Sequence, residues 1–229
     1  MPRPLRSRTS HVVFHTAAWP GDPSAEDIDR SHREGRGWAG IGYHKVVRRD
    51  GAVEGGEMLD RRGVHCRDGG MNSKAVGVCF SGHHGDDFNG EQGEPWTEAQ
   101  REAGVTLLAD LCERYGVPVR NVIGHRETGA RKACPGDRVD CFGVRDLVAE
   151  ELERRGRSVA PSALLRRGDR GRDVVLLQRA LRDQGGHYRG RIDGDFGPMT
   201  EAAVRSFQED NGLEVDGVVG PATRGALGL

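Results

Sequence analysis

The sequence predicts an α/β fold: a mixed central β-sheet flanked by helices, followed by a small three-helix domain. Three observations carry this expectation. Short β-branched runs alternate with amphipathic segments of helical spacing through the first 155 residues, with glycine turns between them. A short Arg/Ser/Pro stretch, RGRSVAPS, breaks the pattern around 155–162. Beyond it a motif recurs at a period of 23 residues, DGDFGPMT at 193–200 and DGVVGPAT at 216–223. The expected organisation is a first domain over 1–155, a linker over 156–162 and a second domain over 163–229.

The elements follow in order. HVVFHTA reads as a strand that ends in a Pro/Gly/Asp cluster at 20–23. Ser24 to Glu34 reads as a helix, with Ser24 as N-cap and Asp27 completing an imperfect capping box. YHKVVRRDGAVEGG is a hairpin pattern, Asp50-Gly51 supplying the positive φ of its turn. KAVGVCFS, 74–81, has the small and β-branched residues of a buried strand, and 82–96 reads as a polar loop. Thr97-x-x-Gln100 forms a capping box ahead of Leu107, Leu108, Leu111 and Tyr115, and Gly116 with Pro118 stops that helix. NVIGH is a further short strand, and Val144 to Arg154 a closing helix. In the tail, each DGxxGPxT unit is a glycine turn that places Pro at the first position of a helix.

Composition removes several function classes. The chain has 229 residues and a formal net charge of −1. Residues 1–160 carry 24 basic and 25 acidic side chains, and 161–229 carry 10 of each. Neither half has the basic excess of a nucleic-acid binder. No apolar stretch approaches the ~20 residues that span a bilayer, so membrane insertion is not expected. The 35 glycines show no G-X-Y period, which excludes collagen. Five cysteines, at 66, 79, 112, 134 and 141, are too sparse for a disulfide scaffold, and no disulfide is expected. The basic N-terminus leads straight into a strand pattern without the apolar core of a signal peptide. The chain is therefore expected to be cytoplasmic when made, or exported without a cleavable signal.

Three residues have the chemistry of a metal site. His15 ends the first strand, His125 ends NVIGH, and Cys134 lies nine residues on in KACPG. Two imidazoles and a thiolate suit zinc and leave a fourth position open. The spacing alone equally fits two strand-end histidines satisfied by backbone and one buried thiol.

The separated motifs HVVFHTA, GWAGIGYHKVVRRDGAVEGG, NSKAVGVCFSG and GHRE…KACPG resemble, in order and spacing, the zinc N-acetylmuramoyl-L-alanine amidases. That family includes short phage lysozyme amidases and peptidoglycan recognition proteins, and the resemblance spans about residues 10–155. It implies that His15, His125 and Cys134 bind one catalytic Zn²⁺, and that Tyr43 and Lys132 are catalytic. A metal that activates water, a tyrosine hydroxyl in proton transfer and a lysine ammonium on the oxyanion would together serve amide hydrolysis. The resemblance also marks His65, together with Asn72, as substrate-contacting. The tail resembles a small three-helix peptidoglycan-binding module. Two departures stand out: Cys79 occupies a strand position where the similar recycling amidases carry glutamate, and the loop from His125 to Cys134 is about one residue longer than in the short phage enzymes.

Other residues are given bland roles. His44 is expected on the opposite side of its strand from Tyr43. His83 and His84 are expected to be solvated, and His11, His32 and His187 to be structural. Cys79 is expected to be a buried strand residue, and Cys66, Cys112 and Cys141 show no spacing of a second metal site.

The resulting expectation is a modular peptidoglycan hydrolase. It would cut the amide between N-acetylmuramic acid and L-alanine, act as a monomer on bacterial peptidoglycan, and be a phage endolysin held in the host cytoplasm until release. A secreted bacterial autolysin, a recycling amidase and a non-cutting muropeptide recognition protein are the alternatives.

Overall fold

The computed structural model describes residues 3–85, 93–129, 133–157 and 164–229. The chain divides into two compact units, 1–158 and 159–229.

In the first unit a five-stranded sheet has the order β3-β2-β4-β1-β5. The strands are β1 (His11–Thr16), β2 (Lys45–Val47), β3 (Val53–Gly55), β4 (Ala75–Phe80) and β5 (Val122–Gly124). β2, β4, β1 and β5 run parallel to their neighbours, and only the edge strand β3 pairs antiparallel, through the predicted hairpin. The mixed sheet is as expected. Its parallel centre explains why β4 is buried throughout and reads as a continuous apolar run rather than an alternating one.

Helices cover both faces. α2 (Glu98–Tyr115) approaches β4 closely where Gly104 meets Phe80; a Cβ there would lie 2.3 Å from the Phe80 ring. α3 (Cys141–Arg154) lies on the same side, where Gly124 of β5 leaves room for the Cys141 sulfur. On the other face Ile28 of α1 (Ala25–Arg36) packs with Ile41, Val46 and Cys79. That face also carries Val13 and, two residues on, His15.

Helix starts differ from expectation in an instructive way. The Ser24–Asp27 box, imperfect by residue type, closes fully: Asp27 N–H donates to the Ser24 hydroxyl and Ser24 N–H to the Asp27 carboxylate. The Thr97–Gln100 box closes only halfway. Gln100 N–H donates to Thr97, but the buried Gln100 side chain turns inward and donates to the carbonyls of Val47 and Ser81. Bonds to two carbonyls in the buried interior outcompete one cap N–H at the helix end. The closing helix also begins three residues earlier than predicted, with Asp140 accepting from Phe142 N–H as its N-cap.

Among the described residues the second unit has three helices, α4 (Arg172–Asp183), α5 (Pro198–Asp210) and α6 (Pro221–Leu227), around Leu177, Leu181, Phe196, Val204 and Phe207. Its repeat has a physical origin that the sequence pattern hides. Gln178, fully buried, donates to Asp193 Oδ1, Asp195 O and Thr200 Oγ1, while its Oε1 accepts from Asp193 and Gly194 N–H. Gln208 does the same one turn on, donating to Asp216 Oδ1, Val218 O and Thr223 Oγ1 and accepting from Gly217 N–H. Each DGxxGPxT turn is thus wrapped around a glutamine amide from the preceding helix.

Replacing Gln178 by Leu strands several buried donors and acceptors at once, each costing about 1–3 kcal/mol. The variant should destabilise the second unit by roughly 2–4 kcal/mol. Amide hydrogen exchange in the full chain should show faster exchange in α4 and α5, with β1 and β4 unchanged. Unaltered protection in α4 would refute the structural role of the glutamine.

Candidate active site

The site forms at the carboxyl ends of the parallel strands, where open α/β sheets place their functional crevices. β1 is hydrogen-bonded on both sides, to β4 and β5, which fixes His15 at its end as a buried side chain. His125 follows β5 directly, so the β1–β5 pairing delivers it beside His15. Their ring centroids lie 4.6 Å apart.

Cys134 arrives by a loop, and the GHRE motif holds that loop. Arg126 N–H donates to the Cys134 carbonyl at 2.7 Å, and its guanidinium reaches the carbonyls of Gly136 and Val139 at 2.8 and 2.7 Å. Glu127 caps the turn by accepting from Gly124 N–H and is gripped by both nitrogens of Arg145 from α3, at 2.9 and 3.0 Å. Gly136, at φ 104°, passes so close to His84 that a Cβ would lie 2.1 Å from its carbonyl oxygen. The Cys134 sulfur comes to 3.7 Å from His15 Nδ1 and accepts from Thr16 N–H at 3.4 Å. One donor atom from each of His15, His125 and Cys134 lies within 4.8 Å of the other two, a span that a single metal ion could bridge.

The electrostatics suit a cation there. Burial, reinforced by the neighbouring His65, His125 and His44, holds His15 well below the ordinary histidine range, so its imidazole stays neutral. A backbone N–H, that of Thr16, is aimed at the Cys134 sulfur. Tyr43 packs on His15 with ring centroids 5.1 Å apart. Desolvation and the nearby Cys79 and Cys134 thiols push its hydroxyl well above the usual tyrosine value, so it keeps its proton. Cys79 itself is buried beside Tyr43, its thiol also driven up by burial.

The remaining sequence candidates are placed as follows. His65 is buried, with Nδ1 3.0 Å from His15 Nε2. Asn72 turns its side-chain oxygen inward and accepts from the N–H groups of His65 and Cys66, both at 2.8 Å. Lys132 lies outside the described residues. His44 diverges from Tyr43, accepting from Gly77 N–H at Nδ1 while Nε2 faces the Arg61 carbonyl. The expectation of a solvated His84 is incorrect. It is fully buried, with its ring nitrogens 2.7 and 3.1 Å from the Glu94 and Ser81 carbonyls, because the Cys134 loop folds over it. Arg126 and Glu127 are functional supports that sequence reasoning passed over. The signal was their adjacency to His125 in GHRE.

A mixed sheet with a His/His/Cys cluster at its parallel strand ends defines a candidate metal hydrolase, and comparison with known proteins narrows the class. The profile of the N-acetylmuramoyl-L-alanine amidase family matches residues 5–137, and that of a peptidoglycan binding domain matches 170–227. The endolysin of Klebsiella phage KP32 is 38% identical over 132 residues, covering 57% of this chain and 82% of that protein. Peptidoglycan-recognition protein SC2 of Drosophila melanogaster is 30% identical over 135 residues, covering 56% and 68% respectively. Among solved structures, the amidase LysC from Clostridium intestinale URNW shares the fold, with a TM-score of 0.53 and 24% identity over 64% of this chain and 86% of that one. The chain belongs to the N-acetylmuramoyl-L-alanine amidase family, and its activity is that of an N-acetylmuramoyl-L-alanine amidase. It carries a C-terminal peptidoglycan-binding domain, and among the described residues no helix is long and apolar enough to cross a membrane.

Arg126→Met removes the guanidinium bonds that hold the Cys134 loop. In chelator-treated protein, Cys134, the one cysteine not fully buried, should react with a thiol-specific disulfide reagent ahead of the other four. The variant should accelerate that reaction several-fold. An unchanged rate would show that the loop is held by other means.

Proposed function

We propose that His15, His125 and Cys134 hold one catalytic zinc and that the chain is a phage endolysin. The observation that supports this most directly is the convergence of two imidazoles and one thiol at a single point beside Tyr43. The donor set fits zinc: a neutral buried imidazole, a second imidazole and a cysteine sulfur, three protein ligands with a position left for substrate or water. Zinc bound there would supply a Lewis acid for the scissile carbonyl and bring water to a nucleophilic state near neutral pH.

The chain's own residues would do the rest. Tyr43, protonated and packed on His15, would orient the attacking water and exchange a proton with it. Lys132, two residues before Cys134, would set its ammonium against the oxygen that gains charge as the carbonyl becomes tetrahedral. The binding domain would keep the catalytic unit on insoluble wall, raising its local concentration near uncut stems. Endolysin relatives support a place in the host cytoplasm before release to the wall.

Mass spectrometry of products from purified peptidoglycan tests the reaction. Stem peptides with a free L-alanine amino terminus are expected; cleaved glycan with intact stems would refute the assignment, and binding without cleavage would favour a recognition protein. One zinc per chain is expected, lost on replacing His15, His125 or Cys134, and chelation should abolish lysis.

Lys132→Ala should lower kcat by about 10²–10³ with zinc content retained, the scale of losing one oxyanion donor. Lys132→Arg should recover only part of the rate, because a planar guanidinium cannot occupy the place of an ammonium. Tyr43→Phe should also lower kcat without unfolding the protein. Rates within twofold of the parent chain for both Lys132→Ala and Tyr43→Phe would remove these residues from the mechanism.

A further inference from the structure

His15 has two ring nitrogens, and only the one facing Cys134 and His125 can serve a metal. Nδ1 lies 3.7 Å from the Cys134 sulfur, and Nε2 points away into the protein. If the proton sat on Nδ1, the lone pair would face the wrong way. Something buried must therefore select the tautomer.

We propose that His65 is the positioning residue that makes this selection. Its Nδ1 lies 3.0 Å from His15 Nε2, and its Nε2 faces the backbone carbonyl of Ala75 at 3.5 Å. A carbonyl can only accept, so it holds the His65 proton on Nε2. His65 Nδ1 then carries a lone pair, which accepts from the His15 Nε2–H. The His15 proton is thereby drawn to Nε2, and the Nδ1 lone pair is left facing Cys134. The opposite arrangement would set two lone pairs, those of His65 Nε2 and the Ala75 oxygen, against each other. It would also place a proton on the His15 nitrogen that the site needs bare.

The fold invests structure in this ring. A Cβ on Gly77, in the buried strand β4, would lie 2.5 Å from the His65 ring, and one on Gly63 would lie 2.4 Å from it. Both positions give up a side chain to make room. Asn72 clamps the backbone at His65 and Cys66 with two N–H···O bonds of 2.8 Å, fixing the bend from which the ring projects. The His65 ring meets His15 edge-on at 5.1 Å between centroids. Its hydrogen-bonding atoms are spent on His15 and Ala75, which leaves it acting through the ligand rather than on substrate. Outer partners of this kind fix the tautomer and orientation of a metal-bound imidazole, and their loss typically costs 10–100-fold in metal affinity.

The inference rests on the metal site proposed above, and the experiment separates the two. Long-range ¹H–¹⁵N spectra of the full-length chain, labelled at histidine, read each tautomer in both zinc-loaded and chelator-treated protein. In the chelator-treated chain His15 and His65 should both carry their protons on Nε2. Adding zinc should shift His15 Nδ1 and leave the Nε2 proton in place. His65→Leu, which keeps bulk but removes the acceptor, should weaken zinc binding 10–100-fold in competition with a chelator. His65→Asn, which restores an acceptor near the Nδ1 position, should bring the affinity back to within a few-fold of the parent chain.

A proton on His15 Nδ1 in the unsubstituted chain overturns the proposal, as does His65→Leu binding zinc as tightly as the parent. The spectrum of the unsubstituted chain decides the matter even where His65→Leu fails to fold. A chain that takes up no zinc refutes the metal site, while the tautomers of the metal-free chain still test the His15–His65 relation.

Discussion

The pairing of β1 with parallel neighbours on both sides is the constraint on which the site depends. Its register against β4 and β5 is set by backbone hydrogen bonds in a fully buried layer, where a slip of one residue would turn His15 to the opposite face. Because β1 and β5 run the same way, their carboxyl ends, with His15 next to last in β1 and His125 directly after β5, emerge at one edge of the sheet. His15 and His125 therefore converge without any long side chain reaching for the other. Cys134 is the only member of the trio that depends on a loop, and the loop is correspondingly reinforced.

That reinforcement gives GHRE its chemical sense. Gly124 admits the Cys141 sulfur, His125 faces His15, Arg126 ties down the carbonyls around Cys134, and Glu127 joins the turn to α3 through Arg145. A paired Arg–Glu bridge on a surface contributes little by itself. Here it matters through geometry, because it helps fix the path of a backbone that brings the Cys134 sulfur to 3.7 Å from His15 Nδ1.

Much of the fold was legible in the sequence because its signals are local. The strand at 74–81, the stop at Gly116, and the Pro-started helices of the tail follow from residue type and spacing alone. What was not legible depended on competition between distant groups. Gln100 reads as a capping residue until the carbonyls of Val47 and Ser81 are placed beside it, and His84 reads as a loop histidine until the Cys134 loop closes over it. Gln178 and Gln208 carry no signature at all, since helix propensity treats a glutamine as an ordinary surface residue. At the site, the His15, His125 and Cys134 trio could be named from motif and resemblance. The tautomer proposed for His15 could not, because it depends, through His65, on the Ala75 carbonyl, which no side-chain pattern encodes.

The paired glutamine-centred turns of the second unit have an evolutionary consequence. The hydrogen bonds that organise each turn are made by Gln178 or Gln208 with backbone and with short Asp and Thr side chains inside the turn, and the apolar centre is formed by residues such as Leu177, Phe196 and Phe207. The side chains of Met199 and Val215, by contrast, are exposed and lie outside that apolar centre. Architecture and outer face are thus written in different residues of the same short repeat. The outer face can drift toward the chemistry of a different cell wall while the scaffold beneath it keeps its stability.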